Sequence, residues 1–238
     1  MRITFLGASH GVPEPNRRCS CAMIEVQDSI YFIDMGVMVI DELRTRGIPV
    51  ESVKAAFLTH VHGDHTNGLI HFVDLCSWYF KNADPLICVP DMAMKQVIDD
   101  WLRVTLSHPR DIRFQEIAPG VIYDDGLLKV TAIVTQHCAR SHAFLVEADG
   151  KAVLFTGDLK RPGVDFPAAA KERPLDLIIA ETAHFPATEY EPVLKECDCK
   201  RICINHYQGK LIGTVLELAG VIEDRNLFMA HDGLEINV

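Results

Sequence analysis

No uncharged apolar run in the 238 residues approaches the roughly 18 needed to span a bilayer, and no apolar leader precedes the strand-like Ile3–Leu6. Both absences point to a cytoplasmic protein. Low-complexity tracts, linkers and internal repeats are also missing, so one domain over residues 1–238 is expected, and 48% hydrophobic content is enough to give it a core. Cations are scarce. Against 33 Asp and Glu stand only 23 Lys and Arg, a formal charge of −10, and a surface of that sign repels polyanions. Nucleic acid is therefore not the first substrate to consider. The eight cysteines show no disulfide framework, and neither Cys19 with Cys21 nor Cys197 with Cys199 and Cys203 offers four well-spaced zinc ligands. Reduced, packed thiols are the expectation.

What is present is a succession of short β-branched runs: Ile3–Leu6, Ala22–Val26, Ile30–Asp34, Ala55–Leu58, Leu86–Val89, Leu128–Val134, Ala143–Glu147, Ala152–Thr156, Leu175–Ala180, Ile202–Asn205 and Leu234–Val238. They read as strands. Asp149-Gly150 marks a hairpin, and Asp124-Asp125-Gly126 a turn. Helical periodicity covers Val37–Arg46, closed by Gly47, then Thr66–Phe80, Asp91–Val104 behind a capping Asp, and Gly213–Glu223. Strands in runs, with helices interspersed rather than alternating, argue for two sheets covered by helices and against a doubly wound parallel sheet.

The segment His60-Val61-His62-Gly63-Asp64-His65 crowds four metal-capable side chains into six positions after a strand. Without a cation such crowding is costly. His60 and His62, two apart on extended chain, can face one ion, while Asp64 and His65 at a helix start can turn to a second, with Gly63 bending the backbone between them. A dinuclear site needs further ligands, including a carboxylate able to bridge. His137, Asp158 and His206 each follow a strand-like run. A single His or Asp at a strand end is more often a turn or cap; together with the six-residue cluster they make one coherent set.

In this order, His-x-His-x-Asp-His, His137, the Asp158 of Thr-Gly-Asp, and His206 resemble the metal-binding motifs of the metallo-β-lactamase superfamily. The resemblance runs from Phe5-Leu6-Gly7 through Phe32-Ile33-Asp34-Met35-Gly36, whose Asp34 supports the histidine loop, to Asp232-Gly233-Leu234-Glu235-Ile236. It implies an α/β (α+β) fold, the four-layer αβ/βα sandwich of two mixed sheets flanked by helices. It also implies two divalent ions, zinc with manganese or iron as substitutes. His60, His62 and His137 would hold one, Asp64, His65 and His206 the other, and Asp158 would bridge. His231 also follows a strand-like run and competes with His206; the placement of the late Asp-Gly-Leu-Glu-Ile favours His206.

Such a site lowers the pKa of a bridging water and performs hydrolysis, with Asp64 orienting the resulting hydroxide. Glu181 and His184, beyond a buried strand, are candidate proton donors, although a Glu and a His in a solvated loop would read the same way. The nearest branches are ribonuclease Z and the cyclic phosphodiesterase of phosphonate breakdown. Only 21 positions separate His137 from Asp158, too few for the tRNA arm of ribonuclease Z, and Cys19 with Cys21 alone does not reproduce the structural zinc of the phosphonate enzyme. The expectation is hydrolysis of a small phosphodiester, cyclic ones included, by a metal-bridged hydroxide, with no tRNA and no membrane partner. A homodimer is compatible with the sequence. The rivals are a carboxylic ester, lactone or thioester hydrolase on the same ions, and a non-catalytic metal-bound sensing or scaffolding protein. β-Lactam hydrolysis is disfavoured by the phosphodiesterase-like ending.

Overall fold

A computed structural model describes residues 1–105 and 110–238. Its strands, in chain order, are β1 Arg2–Gly7, β2 Cys21–Val26, β3 Ser29–Ile33, β4 Val53–Phe57, β5 Leu86–Val89, β6 Arg113–Glu116, β7 Gly120–Asp124, β8 Lys129–Thr135, β9 Ser141–Ala148, β10 Lys151–Phe155, β11 Leu177–Thr182, β12 Arg201–Tyr207, β13 Asn226–Met229 and β14 Glu235–Asn237. They pair into two seven-stranded sheets, ordered β14-β1-β2-β3-β4-β5-β6 and β13-β12-β11-β10-β9-β8-β7. Both sheets are mixed.

Period-2 alternation explains how the layers stack. Phe5 turns inward, towards Val130, Phe144, Val153 and Ile179 of the second sheet, while its neighbour Leu6 turns outward. The outer face of the first sheet packs Phe32 and Ala56 against Leu43, Phe72 and Leu102 from the helices Val39–Thr45, Leu69–Trp78 and Ala93–Val104. On the second sheet Leu154, Ile178 and Ile204 are covered by Leu194 and by Leu218 of the helix Ile212–Val221. This is the expected four-layer αβ/βα sandwich. Each large apolar side chain so buried contributes about 1.5–3 kcal/mol, and no disulfide is needed: all eight cysteines are free, and all but Cys138 are buried.

The expected strands are present with shifts of a residue or two, but β6, β7 and β13 were not anticipated. All three are edge strands, and in β6, Arg113-Phe-Gln-Glu, polar residues break the apolar pattern that betrays a central strand. The helix expected over Thr66–Phe80 is two pieces, Gly63–Thr66 and Leu69–Trp78. Between them Gly68 donates its N–H to Met35 O at 2.8 Å, so close to that loop that a Cβ would lie 1.8 Å from Val37 O. Asp91 does accept the Ala93 N–H at 2.9 Å, although the helix proper starts at Ala93. The Asp149-Gly150 hairpin is as expected, with φ of 53° and 72°, the left-handed pair of a type I′ turn. Among the described residues no helix is long and apolar enough to cross a membrane.

Candidate metal centre

Strand direction assembles the site. β3 and β4 are parallel, as are β10, β11 and β12, and β8 runs with β10 because both are antiparallel to β9. The chain therefore leaves β3, β4, β8, β10, β11 and β12 at one rim, delivering Asp34, the His60–His65 loop, His137, Asp158, Glu181 with His184, and His206. The His142 N–H donates to Thr59 O at 2.9 Å and ties the two sheets together there.

Three imidazoles meet first. His60 Nε2 lies 2.9 Å from His62 Nδ1, and His137 Nε2 lies 3.2 Å from the same atom. Burial, reinforced by the neighbouring His65, pushes His60 down to about 2, so its ring is neutral and its lone pair free. Next to this triad Asp64, His65 and His206 form a second, with His65 Nε2 3.4 Å and His206 Nε2 3.7 Å from Asp64 Oδ2. Asp158, 2% exposed, lies between the two triads. Its Oδ2 is 3.6 Å from both His60 Nε2 and His137 Nε2 and 3.4 Å from His206 Nε2, and its Oδ1 is 3.5 Å from His65 Nε2.

The donors fit divalent cations. Asp158 Oδ1 and His65 Nε2 are buried without a hydrogen-bond partner, an arrangement that is costly unless a cation sits between such atoms. Burial opposes the charge on Asp158, yet His206 and His65 hold its carboxyl well below the usual range. Asp64 is likewise depressed, its burial outweighed by His65 and His206. The site thus presents fixed negative charge together with imidazole lone pairs, the mixed set that suits zinc, manganese or iron.

Support comes from behind. Asp34, 3% exposed and in left-handed backbone at φ 60°, accepts the Thr59 N–H at 2.8 Å and faces His65 Nδ1 at 2.7 Å. That fixes which ring nitrogen of His65 points into the site. Thr59 Oγ1 lies 3.0 Å from His60 Nδ1 and does the same for that ring; this residue was not singled out from the sequence, and its only signal was its place before His60. Gly36 is required by crowding, since a Cβ would sit 1.9 Å from Asp64 O.

Glu181 is not in a solvated loop. It lies within β11 and is 2% exposed, accepting the Leu159 N–H at 2.9 Å and the Ala183 N–H at 2.8 Å. His184 stands beside it with Nε2 3.7 Å from Asp158 Oδ2. Burial, with Asp158 adding to it, raises the Glu181 carboxyl, while Glu181 outweighs burial to raise His184, so the pair retains a proton. His231 is exposed, its Nδ1 3.1 Å from Asp232 O, and belongs to none of the metal-capable groups among the described residues. His206, by contrast, is brought to Asp64 and His65.

Residues 1–213 match the sequence profile of a family described as anti-Pycsar protein Apyc1. A ribonuclease Z of Listeria innocua is 30% identical over 170 residues, covering 69% of this chain and 55% of that protein. The chain thus spans about half the length of the curated relatives it matches. Among solved structures, the metallo-β-lactamase fold protein YhfI from Bacillus subtilis has a TM-score of 0.80 at 19% identity, covering 99% of this chain and 98% of its own. A diphosphatase from the PhnP family has a TM-score of 0.73 at 17% identity, covering 100% and 97%. The metallo-β-lactamase resemblance and the sandwich it implied are borne out.

Proposed function

Because this chain belongs to the anti-Pycsar protein Apyc1 family, we propose that it is a metal-dependent hydrolase of small phosphodiesters, cyclic ones included. The observation that carries this reading is the convergence of two ligand triads, His60–His62–His137 and Asp64–His65–His206, on the single carboxylate of Asp158. The first triad would hold one divalent ion, the second another, with Asp158 shared and zinc the best match to the donors. Ions bound there supply Lewis acidity, making a water nucleophilic near neutral pH and offsetting charge on the phosphate oxygens.

The chain's own residues do the rest. Asp64, 14% exposed at its side chain, is the carboxylate of the cluster that faces the opening and orients the attacking water. Glu181 keeps a proton on Nδ1 of His184, which leaves Nε2 turned to the site and able to hold a second proton. As the water releases a proton to bulk solvent and its oxygen bonds to phosphorus, the ester P–O bond breaks and the Nε2 proton passes to the departing alkoxide. The segment between His137 and Asp158 is a short hairpin, which supports a small substrate over a tRNA.

The reading includes a homodimer, supported by Val97, Trp101 and Val104, which are 65%, 56% and 81% exposed in one stripe of the helix Ala93–Val104. Free thiols throughout suit a cytoplasmic setting. The functional test compares turnover of bis-p-nitrophenyl phosphate and a cyclic phosphodiester with that of lactones and thioesters by the metal-loaded protein. Preference for the carboxylic substrates would overturn the phosphodiesterase reading. Inertness to all of them would leave a metal-bound sensing or scaffolding protein.

A further inference from the structure

His206 occupies an unusual place in the ladder. Glu181 pairs with Asn205 and Thr182 with Tyr207, so β11 passes over His206, which is extruded in left-handed backbone at φ 49°. A bulge of this kind re-aims a side chain and costs local pairing, and a non-glycine residue at such a φ must be held there by its surroundings. The holding contacts come from the far end of the chain.

Residues 8–18 form a strap across this edge. Both of its ends are pinned by one carboxylate: Asp232 accepts the Ala8 N–H at 3.0 Å and the Arg18 N–H at 2.8 Å. At mid-strap, Gly11 lies against Asp64, where a Cβ would come within 3.4 Å of Oδ2. On either side of that point the strap grips the residues that follow His206. Ser9 bridges to Tyr207, the Arg17 guanidinium sits 3.9 Å from the Tyr207 ring centroid and donates to Tyr207 O at 2.9 Å, and Glu14 accepts the Gly209 N–H at 3.0 Å while pairing with Arg17. The strap therefore passes close to Asp64 and holds the backbone next to His206, two ligands of one triad. None of these contacts reaches His60, His62 or His137.

We propose that the strap 8–18 fixes the Asp64–His65–His206 triad, with Arg17 the positioning residue for His206, and so sets the affinity of one ion independently of the other. The inference rests on the two-ion reading above. It also explains Asp232, in the late Asp-Gly-Leu-Glu-Ile, as the anchor of the strap.

The test titrates metal-free protein with Co2+ against a competing chelator, reading both affinities and the visible absorption of each site, for the wild type, Arg17→Met, Arg17→Lys and a control, Arg173→Met. Arg173 pairs with Glu147 far from the strap. Arg17→Met should keep one ion at wild-type affinity and weaken the other by about 10- to 100-fold, the effect expected of a residue that orients a ligand. Arg17→Lys should recover part of the loss, and the control should leave both ions unchanged. Unchanged affinities in Arg17→Met, or equal weakening of both ions, would overturn the inference, the latter showing that the strap serves only the fold. If Arg17→Met does not fold, Arg17→Lys carries the same comparison, with selective loss of one ion supporting and equal behaviour of the two overturning it. A wild type that takes up a single ion would sink the two-ion reading itself and this inference with it.

Discussion

Nδ1 of His184 lies 3.0 Å from each of the two carboxylate oxygens of Glu181, so an imidazole at the rim is oriented by a carboxylate buried in the sheet. A proton donor of this kind matters in proportion to how poor the leaving group is, about 100- to 10,000-fold for an unactivated alcohol. His184→Ala should therefore cripple hydrolysis of an alkyl phosphodiester while sparing much of the activity on a p-nitrophenyl diester, with both ions still bound. Glu181→Gln should move in the same direction. Parallel rate measurements on the two esters decide the point: equal loss on both, or none on either, removes this pair from the chemistry.

The place of Asp158 between the two triads leads to a stoichiometric expectation. Asp158→Ala should weaken both ions, His206→Ala should remove one ion and nearly all activity, and His231→Ala should retain both ions. Elemental analysis of protein resupplied with zinc or manganese reads this out. Loss of an ion in His231→Ala, with none in His206→Ala, would transfer the last ligand to His231.

Asp34 is an acceptor for buried donors on both Thr59 and His65. Removing one partner of such a buried pair costs roughly 3–5 kcal/mol, so Asp34→Ala should show a marked fall in the urea midpoint of the metal-free protein. Asp34→Asn, which keeps one acceptor oxygen, should fall less. Identical midpoints for Asp34→Ala and the wild type would show that Asp34 does not brace the histidine loop.

A pH dependence follows from Asp125, at the turn between β7 and β8. Burial would raise its carboxyl, but hydrogen bonds from Tyr31 Oη at 2.6 Å, the Leu128 and Leu127 N–H groups at 2.9 and 3.0 Å, and Tyr123 Oη at 2.9 Å lower it. A carboxyl with a depressed folded pKa contributes stability that is fully present above its unfolded value, about 3.9, and is lost as pH falls through the folded one. Asp125→Asn should therefore be less stable than the wild type at neutral pH, by at most about 1 kcal/mol because solvent screens this exposed carboxyl, with the gap closing in acid. Denaturation at pH 7 and near pH 3 measures it; a gap that is constant or widens in acid contradicts the assignment.

Legibility followed the range of the interaction. The six-residue histidine loop was readable because its ligands are neighbours in sequence, directly after β4. The central strands were readable because burial on both faces forces continuous apolar runs. The edge strand β6 was not, since one side of it is unpaired and polar residues are tolerated there. Glu181 looked as much like a loop residue as a buried one; only its place in β11, with the Leu159 and Ala183 N–H groups aimed at it, makes it an internal carboxylate.

By itself the sequence determined two sheets covered by helices, through its alternating and continuous apolar runs, and it determined which His and Asp types stand at strand ends. Periodicity and local spacing carry that information over a few residues. Only the tertiary structure decided that His206 and not His231 enters the cluster, that a bulge against β11 turns it inward, and that a strap running from Ala8 to Arg18, pinned by Asp232, lies across both it and Asp64. Those contacts join segments some two hundred residues apart, and no local pattern encodes them because they exist only once two sheets have brought their rims together.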